Sequence, residues 1–234
     1  MEIITSDEAA KQAGTYISEV IAEHNGDVVC LLAGGSALDI IPHIKVMDSA
    51  KHECRTIFML GDERGSRDVT INNSLQLVTR YPDSYVAKNL ILTVPAETEE
   101  LEKFTSRILE TFLTKTENLK NPKIIQVLGV GLDGHTAGIF PLPIDEFTNI
   151  YNRPDHDIVP VHLEGLRIDS RASCTPNYIQ SKADELVGYV VGSDKKMILE
   201  SLINETKSIH ERPAELIKRH SQTKLYTDQH PHGM

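Results

Sequence analysis

Five short apolar runs constrain this chain most: residues 28–33, 56–60, 90–94, 124–128 and 187–191. None alternates polar with apolar positions, which is the mark of a strand covered on both faces rather than one lying on a wet surface. Helical spacing fills the gaps. Residues 6–24 place Tyr16, Ile17, Val20 and Ile21 on one stripe, with Ser6 as a candidate N-cap and Asn25-Gly26 as the stop. Residues 37–47 can form a helix that Pro42 kinks or splits, and residues 97–117 carry Leu101, Phe104, Ile108, Leu109 and Phe112 at helical intervals. A last helix is predicted over 195–203. Strands alternating with helices predict an α/β chain with a doubly wound, mostly parallel sheet and helices on both faces. Residues 141–173 are the least regular and predict loops and short strands over that sheet. No low-complexity linker or internal repeat interrupts the 234 residues, so one domain over 1–234 is expected.

Charge narrows the partners. Asp and Glu number 34 against 24 Lys and Arg, a formal charge of −10, which excludes a broad nucleic-acid surface but not a local cationic pocket for a small anion. The apolar runs fall far short of the ~20 residues of a membrane helix. Met1 to Glu8 is acidic and lacks the layout of a signal peptide. Cys30, Cys54 and Cys174 form no C-x-x-C pair, which predicts reduced thiols and a cytoplasmic protein. Ten histidines raise a metal hypothesis, yet no H-E-x-x-H or H-x-H pair lies on a predicted element. His230 and His232 sit in a Pro/Gly-containing tail. No metal and no cofactor are expected. A G-x-S-x-G elbow is also absent, so attack by water with help from a base fits the inventory better than a serine nucleophile.

In open parallel sheets ligands bind beyond the carboxyl ends of the strands. There the sequence places Gly34-Gly35-Ser36, Asp62-Glu63-Arg64, the run 129–136 and Gly192-Ser193-Asp194-Lys195. Gly34-Gly35-Ser36 reads either as a phosphate cradle or as a tight β-to-α turn; it matches neither nucleotide fingerprint. Arg64 reads as a phosphate fork or as a surface ion pair. Lys195 and Lys196 compete for a second cationic role. The strongest signal is Gly129-Val130-Gly131-Leu132-Asp133-Gly134-His135-Thr136. Three glycines mark a tightly turned backbone, and an Asp two residues before a His places a proton-transfer pair at the mouth of the sheet.

These residues resemble the 6-phosphogluconolactonase and glucosamine-6-phosphate isomerase/deaminase superfamily, and within it the lactonase branch. The pattern there is an S-G-G-S-T-P-like loop, D-E-R, G-x-G-x-D-G-H-T-A-S-L-F-P, R-x-T-x-T and G-x-x-K. This chain answers with 33–37, Asp62-Glu63-Arg64, 129–141, Arg171-Ala172-Ser173-Cys174-Thr175 and Gly192-Ser193-Asp194-Lys195. Arg212-Pro213-Ala214 and Leu225-Tyr226-Thr227-Asp228 look like two further elements. The resemblance implies hydrolysis of 6-phospho-D-glucono-1,5-lactone without a cofactor; a monomer or homodimer is expected. It implies phosphate contacts from Gly34, Gly35, Ser36, Arg64 and Lys195, with Arg171 nearby. His135 would be the general base, Asp62 and Asp133 would orient hydroxyls or the imidazole, and glycine N–H groups of the turn would meet the oxyanion.

The deaminase branch resembles the chain less well. It carries a carboxylate five residues after the motif histidine and a tyrosine in D-E-Y, where this chain has Phe140 and Arg64. A non-catalytic sugar-phosphate sensor is the third reading, since fold alone does not settle activity. Ala37 stands where the pattern has Thr, and Val69 where it has an acid. The loop 65–73 either selects a different phosphorylated sugar acid or brings Arg67 to the phosphate.

Overall fold

The computed structural model describes residues 1–46, 54–153, 156–165 and 168–230. Met47, in the second predicted helix, and His232, in the tail, lie outside the described residues. The chain opens with β1 (Glu2–Thr5), α1 (Ala9–Glu23) and β2 (Val28–Leu32). A 3₁₀ helix over Gly35–His43 leads to β3 (Thr56–Leu60), β4 (Asp62–Arg64), α2 (Asn73–Arg80) and α3 (Tyr85–Lys88). Then come α4 (Leu101–Thr116), β5 (Lys123–Gly129), α5 (Ile144–Tyr151), β6 (Ile158–His162), β7 (Ser170–Cys174) and α6 (Pro176–Lys182). The chain continues through β8 (Glu185–Val190), a 3₁₀ turn at Ser193–Lys195, α7 (Lys196–Asn204), α8 (Glu215–Arg219) and β9 (Thr223–Thr227).

Six strands form a wholly parallel sheet in the order β1-β9-β8-β5-β2-β3. The doubly wound α/β prediction holds. β2 shows why its sequence is apolar without alternation: all five residues are buried. Val29 and Leu31 face one hydrophobic core, with Met59 and Phe104, whereas Cys30 and Leu32 face the other, with Phe58 and Leu38. Helix α4 packs on the first face, and α1 with the 3₁₀ helix on the second. Alternation survives, but both faces are inside.

Three expectations need correction. The predicted strand at 90–94 is reduced to one bridge, Leu90 opposite Phe58. Beyond it the backbone turns to other partners: Asn72 Nδ2 donates to the Thr93 carbonyl at 3.0 Å, so that group is not offered to β3. Residues 35–43 form a 3₁₀ helix, ended just after Pro42, which has no N–H to continue an α ladder. The irregular stretch 141–173 holds short strands, as expected, and adds helix α5. Its β6 and β7 join β4 in a second, antiparallel sheet in the order β4-β7-β6. Asp62-Glu63-Arg64 is thus itself a strand, not a loop after one. No helix among the described residues is long and apolar enough to cross a membrane.

The amino ends of the central strands are clamped by a buried carboxylate. Asp27 accepts the N–H of Arg55 at 2.6 Å, the N–H of Lys120 at 2.7 Å and the Arg55 guanidinium at 3.3 Å. Burial pushes this carboxyl up, but those donors outweigh it and hold the group below its ordinary value of 3.8. Its folded pKa is therefore depressed, so its contribution is present above 3.8 and lost as pH falls through the folded value. Asp27→Ala should cost about 2–3 kcal/mol at neutral pH by stranding two N–H groups. In denaturant titrations, the gap between wild type and variant should close as pH drops below 4.

Candidate active site

The carboxyl end of the parallel sheet opens into a cleft of about 170 Å³ where the second sheet leans over it. Its wall includes Gly34, Gly35, Ser36, Asp62, Arg64, His135, Arg171 and Lys195. Eight of the nine site residues expected from sequence thus meet in one place. Asp133 is the ninth; it stands behind His135 rather than in the wall.

Each group is delivered by a different local device. Gly34 ends the extended segment after β2, and Gly35 and Ser36 open the 3₁₀ helix. Lys195 closes the 3₁₀ turn after β8, its N–H bonded to the Gly192 carbonyl at 2.9 Å. Asp228, just beyond β9, receives the Gly192 N–H on both oxygens, at 3.0 and 3.1 Å, and so fixes that turn. Lys196 faces the other way, 4.0 Å from Glu200, which separates the two lysines. Arg67 does not line the cleft; its guanidinium donates to the Pro95 carbonyl at 3.3 Å.

The arginines come from the antiparallel sheet. In the β4–β7 register Arg64 stands opposite Arg171 and Asp62 opposite Ser173, all four on one face. Asp62 Oδ2 bridges diagonally to Arg171 Nη1 at 3.2 Å, with both side chains at most 10% exposed. Arg64 donates from Nη1 to the Ile71 carbonyl at 3.1 Å. The Nε of Arg171 is buried without a hydrogen-bond partner among the described residues. Glu63 points to the opposite face, where burial pushes its carboxyl up to about 7 against the pull of Ser74, Arg64 and Asn73 donors.

The imidazole is set by the glycine turn. His135 Nδ1 lies 2.6 Å from Asp133 Oδ1, which also accepts the His135 N–H at 3.1 Å. A Cβ on Gly131 would fall 2.0 Å from His135 Nδ1, so only glycine lets the ring lie against the turn. The ring's other side packs on Phe140 with centroids 4.7 Å apart, and the Arg171 guanidinium lies 5.0 Å from the same Phe140 centroid. Burial pushes the Asp133 carboxyl up, but the His135 hydrogen bond and charge outweigh it and keep the group below its ordinary value. An ionised Asp133 accepts a proton-bearing Nδ1, which leaves the Nε2 lone pair for a reacting proton.

The turn is braced from behind by Tyr151, which the sequence did not single out, and by Arg212 and Ala214, which it marked only through the family resemblance. Tyr151 donates its hydroxyl to the Gly138 carbonyl at 2.9 Å and accepts the Phe140 N–H at 3.1 Å. Ala214 N–H donates to the Gly134 carbonyl at 3.0 Å, and the fully buried Arg212, paired with Glu215, packs beneath Gly134. One expectation changes here. The N–H groups of Gly131, Gly134 and Gly138 are bonded to the His135 carbonyl, the Gly131 carbonyl and the Ser173 hydroxyl. Their N–H bonds maintain the turn and are not offered to an oxyanion. Ala137, held at φ 49°, lines the cleft instead. Among the described residues no group of three or more His, Cys, Asp or Glu could hold a metal ion.

A family profile described as "Glucosamine-6-phosphate isomerases/6-phosphogluconolactonase" matches residues 4–226. The chain belongs to this family. The 6-phosphogluconolactonase of Helicobacter pylori strain 26695 is 24% identical over 193 residues, 81% of this chain and 78% of that one. Among solved structures, a 6-phosphogluconolactonase from Shewanella baltica superposes with a TM-score of 0.72 at 18% identity, covering 97% of this chain and 95% of its own. A monomeric glucosamine-6-phosphate deaminase reaches the same TM-score at 14% identity, with 98% of both chains covered. Shared architecture therefore does not separate the family's two chemistries; the residues in the cleft must.

The His135 tautomer gives a direct check. Ring ¹⁵N shifts at pH 8 should show Nδ1 protonated and Nε2 bare, and Asp133→Ala should populate the Nε2–H form. An unchanged tautomer in the variant would remove Asp133 from this role.

Proposed function

We propose that this chain hydrolyses 6-phospho-D-glucono-1,5-lactone to 6-phosphogluconate. The observation that carries the reading is the content of one cleft: an Asp-oriented imidazole at one end, and Arg64, Arg171 and Lys195 around the rest. Phe140 packs on the imidazole where ring opening and isomerisation would call for an acid. The family match and the names of the relatives agree with it.

Gly34, Gly35, Ser36, Arg64 and Lys195 hold the phosphate, with the planar fork of Arg64 matched to its oxygens. Arg171, tied to Asp62, lies between that group and the sugar. His135 Nε2 removes a proton from water as the oxygen adds to the lactone carbonyl carbon. The tetrahedral intermediate then collapses, the bond from that carbon to the ring oxygen breaks, and the imidazolium returns the proton to the departing ring oxygen. Asp133 stabilises the imidazolium between the two transfers. Asp62 orients sugar hydroxyls. The cations of the wall favour the negative charge on the acyl oxygen, in a cleft where it is screened less than in water. Lactones are reactive acyl compounds, so positioning and one proton shuttle suffice.

All of these residues come from one chain, so the site needs no residue from a second copy, and we take the protein to act as a monomer or homodimer. Cys30, Cys54 and Cys174 are unpaired, which suits the reducing cytoplasm we assign to it.

The test generates the lactone in situ from glucose 6-phosphate and follows acid release. Wild type should exceed the blank, and His135→Ala should lose about 10²–10⁴-fold in kcat with little change in KM. Lys195→Ala should instead raise KM. Rates equal to the blank would overturn the reading, and ammonia release from glucosamine 6-phosphate would move the chain to the deaminase branch.

A further inference from the structure

Between Asp62 and Arg64, on the face of β4 turned from the cleft, Glu63 is 2% exposed and carries no part of the chemistry above. Both its oxygens are occupied. Oε1 accepts the N–H of Arg64 and the N–H of Asn73, each at 2.7 Å. Oε2 accepts the N–H of Ser74 at 2.9 Å, its hydroxyl at 2.6 Å and the Thr93 hydroxyl at 3.1 Å. A carboxylate is the side chain that offers acceptors to five donors and presents no donor of its own.

The two N–H groups on Oε1 belong to two walls of the cleft. One is the backbone of Arg64, whose carbonyl is held in turn by Asn72 Nδ2 at 3.3 Å. The other opens α2 at Asn73, whose side chain donates to the Asp62 carbonyl at 3.1 Å. That amide lies flat on the glycine turn: a Cβ on Gly34 would fall 2.2 Å from Asn73 Oδ1. A single carboxylate oxygen thus reaches Arg64 directly and Gly34 through one intermediate.

We propose that Glu63 is a positioning residue for the anion end of the cleft, fixing Arg64 and, through Asn73, the Gly34-Gly35 turn at the spacing a phosphate monoester requires. This rests on the phosphate assignment made under Proposed function. Burial of the carboxyl, which raises its pKa, shows that the fold retains a group costly to keep charged there. Its return is geometric. It ties the backbone of β4 to α2 without touching the ligand.

The test compares two substrates that differ only in the phosphate. Glu63→Gln keeps the shape but turns an amide nitrogen towards donors, leaving at least one N–H without its acceptor. KM for the phosphorylated lactone should rise about tenfold, with kcat within about twofold, from the loss of a charge-assisted hydrogen bond. Hydrolysis of unphosphorylated glucono-1,5-lactone should be unchanged. A loss of kcat shared by both lactones, or no change on either, would overturn the proposal. Should Glu63→Gln fail to fold, Ser74→Ala removes one donor and keeps the carboxylate; it should raise the same KM about two- to threefold, and no rise would overturn the proposal. If wild type hydrolyses neither lactone, the functional reading falls alone. Calorimetric titration with inorganic phosphate then decides: about tenfold weaker binding in Glu63→Gln upholds the positioning role, and equal binding removes it.

Discussion

Arg64 and Arg171 face one another across an antiparallel pair, a placement that like charges resist. The structure tolerates it because anions surround the pair. Asp62 bridges to Arg171 from the same face, and Glu63 lies one residue from Arg64 on the other. The result is two arginines on one face of the second sheet, both lining the cleft. Much of the second sheet can be understood from this: three short strands are enough to set two arginines side by side, and β4 needs only three residues to do it.

The two ends of the cleft are built by different logic. The cationic end is assembled from separate pieces of chain, each held by an acid: Glu63 at the Arg64 backbone, Asp228 at the turn before Lys195, Asp62 at Arg171. The imidazole end is one continuous turn whose glycine N–H groups are taken by its own carbonyls and by Ser173, and whose carbonyls are tied down by Tyr151 and Ala214. Phe140 joins them, with the His135 ring on its face and the Arg171 guanidinium over it. An apolar ring there stands between the imidazole and the guanidinium. A carboxylate in its place would bring a second acid against His135 and a partner to Arg171.

The central strands were readable because burial on both faces writes an unbroken apolar run, as in Val28–Leu32. The second sheet was not. Ser170–Cys174 and Asp62–Arg64 are polar because they turn a face to the cleft, and their pairing joins residues more than a hundred positions apart. β1 and β9 lie towards one edge of the main sheet, and neither carries a long run. For the site, glycines and ionisable groups at strand ends marked the turns that matter, since close backbone approach demands glycine in the sequence itself. Tyr151 left no such mark, and Glu63 and Arg212 stood in motifs of the family pattern without a role of their own. Their contacts lie in groups they meet only after folding, and a glutamate or tyrosine carries no trace of that in sequence. The glycine N–H groups misled in the other direction: a turn this tight spends its donors on its own closure.

One consequence follows from where the last strand docks. β9 is inserted between β1 and β8, and the residue just after it anchors the turn that delivers Lys195. A nascent chain emerging from the ribosome can form β2, β3 and β5 and close the His135 turn's own hydrogen bonds early. It cannot seat β1 or secure Lys195 until residue 228 has been made. Parallel pairings of such long sequence separation close slowly. The Lys195 side of the cleft is therefore the last part of the molecule to mature during synthesis.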